Sequence, residues 1–291
     1  MRTRFVVLPL ILAAPMWLAA HASDAVGALA AAREALGGDQ KLAAVKAFSA
    51  TGQISRAIGQ FQTGEVELNC ELPDKFVRKE TLSIGPANTT TNNGFNGDGA
   101  IQESAMAPMA GGGGEGGMHV IIGPGGAGPN ATPEQRAAAR QTAMNAAKQD
   151  FGRLTVGLFS ASFSGFPIEF TDGGTAESKD GRADVVNVKG PGTFQARLFI
   201  DGKTHMPLML TWDGPAPRIV MARGPMENPE TPTEPRIVEH RLFYADYRDV
   251  DGIKLPFRLA RTIDGKPAEE LTIEKFKLNP KLGAKTFQVS K

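Results

Sequence analysis

The chain reads as a mainly β protein of α+β class, a strongly curved antiparallel sheet or incomplete β-barrel whose open side is covered by helices. Three observations predict it. From Leu242 to Val289, apolar and polar residues alternate between tight Asp251-Gly252 and Asp264-Gly265 pairs, and Asp-Gly between alternating runs is a strong hairpin signal. From Phe163 onward there is room for eight or nine short strands separated by Asp-Gly or glycine-rich turns, the spacing of an antiparallel fold. Only two segments, 24–36 and 132–158, carry a helical period.

The N-terminus reads as a secretory signal over residues 1–22. Arg2 and Arg4 precede an apolar run from Phe5 to Ala19, and Ala20-His21-Ala22 is a small-x-small cleavage pattern. Prolines at 9 and 15 interrupt the run, which falls short of the about 20 apolar residues of a membrane span. No cysteine follows it, so an exported, soluble, periplasmic chain without a lipid anchor is expected. Removing the segment turns a formal net charge of +1 into −1. So even a balance gives no case for nucleic acid or an anionic membrane surface. The remainder, residues 23–291, is read as one domain.

Element by element, Ser23 or Asp24 caps an alanine-rich helix that stops at Gly37-Gly38, with Val26, Leu29, Ala32 and Leu36 on one stripe. Strands are expected over 47–55 and 60–72, around Ala57-Ile58-Gly59. In the second, Val66, Leu68, Cys70 and Leu72 share an apolar face opposite Glu65, Glu67, Asn69 and Glu71. Pro73-Asp74 turns the chain into a strand over 75–84. Beyond Gly85 the composition shifts, with Asn92-Asn93-Gly94 and Asn96-Gly97-Asp98-Gly99 reading as turns and a glycine-rich mobile insertion over about 106–131. Thr132, Pro133 and Gln135 then form a capping box with proline in the first turn. Met144, Ala147, Phe151, Leu154 and Leu158 follow at helical spacing, a stripe to be packed on the sheet. In the C-terminal half, turns are expected at Asp172-Gly173-Gly174, Asp180-Gly181, Asp201-Gly202 and Asp213-Gly214. Phe194, Ala196, Leu198 and Ile200 share a face opposed by Gln195 and Arg197. Residues 223–235, with four prolines, form a loop.

The chemistry-bearing residues are sparse. Cys70, the lone cysteine, lies on an apolar face, where burial raises a thiol's pKa, and reads as inert. His119, His205 and His240 lack metal-ligand spacing, so no metal is assigned. Gly123 to Gly128 matches G-x-G-x-x-G, but Pro129 separates it from the helix that a dinucleotide site requires, so no cofactor is assigned. Glu65, Glu67 and Glu71, with Asp246, Asp249 and Asp251, offer carboxylates for a hydrolytic pair but sit in patterns of solvated faces and turns.

Several phrases together resemble a known family: Ala35-Leu36-Gly37-Gly38 ending the first helix, Phe48 to Gly52, Pro73-Asp74-Lys75-Phe76, Leu198 to Asp201, Met206-Pro207, Tyr244 to Tyr247 and Val250 to Pro256. In this order they resemble bacterial periplasmic proteins of the outer-membrane lipoprotein-sorting (LolA/LolB-like) type. The resemblance implies an incomplete barrel, plugged by helices, whose concave apolar face receives acyl chains without catalysis. None of the family's polar binding residues maps onto this sequence.

The expected function is therefore a non-catalytic periplasmic carrier or binding protein for a lipid, a lipoprotein acyl chain or another hydrophobic ligand. The residues expected to line its apolar cavity are Val66, Leu68, Phe76, Phe194, Leu198, Leu210, Trp212, Phe257 and Leu259. Two alternatives are an envelope hydrolase, marked by a cleft joining Glu67 or Glu71 to Asp246, and a structural partner in an envelope assembly using loops 106–131 and 223–235 as contact arms.

Overall fold

The computed structural model describes residues 24–58, 61–84, 87–106, 131–179, 181–217 and 236–289. The expected signal segment, nearly all of the glycine-rich insertion with His119 and Gly123 to Gly128, and the proline-rich loop 223–235 lie outside these residues.

Helix α1 (Ala25–Leu36) starts where the Asp24 carboxylate accepts the Val26 N–H at 3.1 Å and ends at Gly37. A short α2 (Asp39–Ala44) leads into five strands: β1 (Ala47–Arg56), β2 (Gln62–Glu71), β3 (Lys75–Ile84), β4 (Ala87–Asn96) and β5 (Gly99–Met106). Helix α3 (Pro133–Phe159) follows, and then seven strands: β6 (Glu169–Ser178), β7 (Gly181–Lys189), β8 (Gln195–Asp201), β9 (Pro207–Pro215), β10 (Ile237–Val250), β11 (Ile253–Ile263) and β12 (Lys266–Leu278). A 3-10 turn, Ala284–Phe287, lays Phe287 on Val77 and Ile101.

All twelve strands form one antiparallel sheet in the order β5-β4-β3-β2-β1-β12-β11-β10-β9-β8-β7-β6. Two meanders, β1–β5 and β6–β12, are thus welded through the β1–β12 pair. Strands β5 and β6 remain as edges, so the sheet does not close. Within one turn, α3 meets strands from both halves: the Phe151 ring lies 5.4 Å from Phe95 on β4, and the Arg153 guanidinium 4.3 Å from the Trp212 ring on β9. Those strands are seven places apart, about 34 Å if the sheet were flat. The sheet must wrap around the helix.

The local expectations hold where the physics is local. Thr132 and Gln135 make both bonds of the capping box, and Met144, Ala147, Phe151, Leu154 and Leu158 are all buried. Asp251-Gly252 and Asp264-Gly265 are hairpin turns with both φ angles positive, the geometry of the type I′ turn.

Five expectations fail. Asn92-Asn93-Gly94 lies inside β4, where a Cβ on Gly94 would fall 2.1 Å from the Phe76 carbonyl oxygen. That glycine serves a close backbone approach, not a turn. Asp213-Gly214 is strand, and Asp172-Gly173-Gly174 is a register shift within β6. Among the described residues, seven strands rather than eight or nine follow α3. On α1, Val26 is exposed, and the buried stripe is Ala25, Ala28, Ala32 and Leu36.

Candidate functional site

The sheet presents one face to α3, and the alternation of each strand decides what stands there. On β2 it is Val66, Leu68 and Cys70; on β8, Phe194 just before the strand, then Ala196, Leu198 and Ile200; on β11, Leu255, Phe257 and Leu259; all are buried. A Phe cluster closes one side of the helix, with Phe151 5.9 Å from Phe76 and 6.2 Å from Phe163. On the other side, Tyr244 donates its hydroxyl to the Arg153 carbonyl at 2.8 Å. Gly157 lets the same ring lie against the helix: a Cβ there would sit 2.1 Å from the Tyr244 ring.

Between these contacts, α3 and the sheet leave a cleft of about 50 Å3. Its apolar wall comes from Leu68 on β2, Phe76 on β3, Leu154 on α3, Trp212 on β9, Leu242 on β10, Leu259 on β11 and Leu271 on β12. Arg78, Asp150, Arg153, Arg261 and Glu269 complete it. Of the nine residues expected to line an apolar cavity, the structure brings Leu68, Phe76, Trp212 and Leu259 together here. Val66, Leu198 and Leu210 are buried in the surrounding packing. Phe194 packs edge-on against Phe166 at 5.0 Å, and Phe257 against Phe276 at 5.2 Å.

Sequence reasoning missed the charged residues. They are in phase with apolar faces: Arg78 and Glu80 fall between Phe76 and Leu82 on β3, Arg56 follows Ile54 on β1, Arg261 follows Leu259, and Glu269 precedes Leu271. That phase was the available signal. The Arg56 Nη2 lies 2.9 Å from the Glu80 carboxylate and 2.7 Å from that of Glu269. Arg78 pairs with Glu80 and lies 3.0 Å from Glu269. Burial pushes the Glu269 carboxyl upward, but Arg78, Arg56 and Arg261 outweigh it and hold the group well below the usual carboxylate range. Burial lowers the pKa of Arg153, partly opposed by Asp150 at 3.0 Å.

His240 is buried beside this row, stacked on Trp212 with centroids 5.3 Å apart and planes 16° apart, and bonded to the Pro215 carbonyl at 3.2 Å. Burial first, then Arg261, lowers its pKa. Cys70 is fully buried, and burial pushes its thiol pKa up, as an inert thiol requires.

The carboxylates considered for hydrolysis are dispersed. Glu65 and Glu67 flank an outer groove of about 310 Å3 with Glu274 and Lys79. Glu71 pairs with Lys75 at 2.6 Å. Asp246 is paired with Arg248 and sits in a left-handed conformation, φ 55°, within a β10–β11 register that is the same on either side of it. Neither the cleft nor the groove joins Asp246 to Glu67 or Glu71. Among the described residues, no group of three or more His, Cys, Asp or Glu could hold a metal ion, and no helix is long and apolar enough to cross a membrane.

No protein-family model matches the chain, and no curated protein matches it in sequence. It is similar to several solved structures. One is a LolA superfamily protein from Nitrosomonas europaea, 11% identical, with a TM-score of 0.45 over 91% of this chain and 97% of that one. Another is a DUF1329 family protein from Desulfovibrio piger, 7% identical, with a TM-score of 0.47 over 91% and 98%. A third is a domain from Vibrio parahaemolyticus described as an outer membrane lipoprotein-sorting protein, 10% identical, with a TM-score of 0.43 over 91% and 97%. The family that the strand-and-turn phrases resemble is thus represented among these structures.

Proposed function

We propose that residues 23–291 form one periplasmic domain that carries or binds a hydrophobic ligand, a lipid or a lipoprotein acyl chain, without catalysis. The observation that carries this reading is the cleft under α3, whose apolar wall draws on six residues from six different elements of the sheet and one from the helix. An apolar cleft held at the mouth of an unclosed sheet is where such folds admit a ligand.

At about 50 Å3 the cleft is far smaller than the ~300 Å3 or more of small-molecule sites. An alkyl chain therefore enters only as α3 withdraws from the sheet. The first ten residues of α3, Pro133 to Thr142, are almost wholly exposed, and its grip begins at Ala143. Only the C-terminal part of the helix has to yield.

The small volume also favours a second reading, in which the sheet is a packed part of an envelope assembly and never opens. Native mass spectrometry on protein purified from the periplasm of an expressing bacterium, with solvent extraction of bound material, separates the two. The carrier reading predicts a discrete adduct of lipid mass. An unliganded mass, with Trp212 emission unmoved by added dodecanol, would discard it in favour of the assembly part.

A further inference from the structure

The geometry points to an anion-binding site inside the cleft, built by Arg78, Arg153 and Arg261, for the carboxylate or phosphate head of a single-chain amphiphile whose tail lies on the apolar wall. The inference rests on the carrier reading and narrows its ligand class.

The charges around the cleft do not balance. Four arginines, 56, 78, 153 and 261, face three carboxylates, Glu80, Glu269 and Asp150. Arg56 is committed to Glu80 and Glu269, and Arg153 to Asp150 at 3.0 Å and Gln149 at 2.9 Å. Arg261 joins none of the ion pairs among the described residues, although it faces Glu269 across the β11–β12 pair and Leu242 across β10–β11. The result is an excess of one positive charge in a cleft with leucine and aromatic walls.

Donors are in excess too. The Nε atoms of Arg153 and Arg261 are buried without a hydrogen-bond partner among the described residues, while the Nη2 of Arg78 beside them is held by Glu269 at 3.0 Å. Two guanidinium groups thus retain unmet N–H donors within one cleft. Water can meet such donors, but it cannot neutralise the surplus charge; a carboxylate or phosphate does both, and guanidinium matches the geometry of either. The site is also held in place before any ligand arrives. The Arg153 guanidinium lies 4.3 Å from the Trp212 ring and 5.5 Å from that of Phe194, and its side chain is 14% exposed. An anion here has apolar neighbours within the same cleft, Leu68, Leu154, Leu242 and Leu259, which suit an attached alkyl tail.

Trp212 reports on the site directly. The chain has two tryptophans, and the other, Trp17, lies in the expected signal segment. Fluorescence titration of the exported protein with dodecyl phosphate, dodecanoate, dodecanol and inorganic phosphate, each below its aggregation concentration, tests the inference. The two anionic amphiphiles should bind about tenfold or more tighter than dodecanol, the scale of a charge-assisted hydrogen bond to a buried group. Arg261→Gln should cut that preference, read as the ratio of the anionic to the dodecanol affinity in the same variant, to about threefold or less. Far-UV circular dichroism checks that the variant folds, and the wild-type comparison stands without it. Equal affinities for the anionic and neutral probes would overturn the anion site and leave the carrier reading intact. Inorganic phosphate binding as tightly as dodecyl phosphate would overturn the amphiphile. Failure of every dodecyl probe would remove the carrier reading itself.

Discussion

Replacing Glu269 with glutamine keeps the shape of the side chain and removes the charge shared by Arg56 at 2.7 Å and Arg78 at 3.0 Å. The group is 10% exposed, so solvent cannot take its place. Removing one partner of a buried ion pair costs about 3–5 kcal/mol, because the remaining charge is left buried and uncompensated. Glutamine retains one acceptor oxygen, and Glu80 still binds both arginines, which places the expected loss at the lower end, about 3 kcal/mol. For a chain of this size that is a fall in Tm of roughly 6–12 °C. Urea unfolding followed by circular dichroism should show a lower midpoint with an unchanged slope. Glu274→Gln, on the outer face where Glu274 accepts from Gln53 at 3.2 Å, is the control and should stay within about 0.5 kcal/mol. The pH dependence follows from the direction of the shift. Glu269 is held below its ordinary value of 4.5, so the unfolded chain takes up the proton first. Its contribution is present above pH 4.5 and is lost as the pH falls towards the folded value, so E269Q should be flatter than wild type below pH 4.5. A variant within about 1 kcal/mol of wild type would refute the reasoning, since the row would then be screened by water rather than buried.

Two further outcomes are expected. Gly157→Ala forces a methyl against Tyr244, whose ring is pinned by its bond to the Arg153 carbonyl. It should cost about 1–3 kcal/mol by urea unfolding, against about 0.5 or less for Gly283→Ala, where the space is open; equal effects would mean that α3 shifts freely on the sheet. His240 carries a pKa lowered from 6.5 by burial and Arg261, so the unfolded chain protonates first. Stability should be level above pH 6.5 and decline below it in the wild type but not in His240→Gln; matching Tm profiles for the two proteins between pH 7 and 5 would reject a neutral buried imidazole.

What the sequence discloses depends on the range of the interaction that decides it. The capping box at Thr132, the stripe through Phe151 and Leu158, and the Asp251-Gly252 and Asp264-Gly265 turns were all readable because each is fixed by neighbours a few residues away. Gly94 and Gly214 were misread as turn residues. Their reason is a strand or ring lying across them, the Phe76 carbonyl in one case and His240 in the other, and nothing local reveals that. The cleft shows the same division. Leu68, Phe76, Trp212 and Leu259 could be named from alternation, whereas their meeting depends on sheet curvature and on the β1–β12 weld between chain ends. Arg78, Arg261 and Glu269 could have been flagged as charges in phase with apolar positions. A search for apolar lining discards such residues in advance, although a buried charge is the more informative observation.

The energy of opening the cleft sets the size of ligand that can hold it open. Lifting the C-terminal part of α3 exposes Phe151, Leu154 and Leu158, which are at most 7% exposed when packed. At about 1.5–3 kcal/mol for each large apolar side chain, this costs roughly 5–9 kcal/mol. An alkyl tail returns about 0.8 kcal/mol per buried methylene, so the two sides meet between about six and eleven carbons. An anionic head shifts that balance further, because it supplies the acceptors that Arg153 and Arg261 lack among the described residues. A short neutral chain brings neither term and leaves α3 seated. The apolar wall and the arginine row are in this sense one device: the wall alone is too small to reward opening, and the row alone offers an anion no reason to carry a tail.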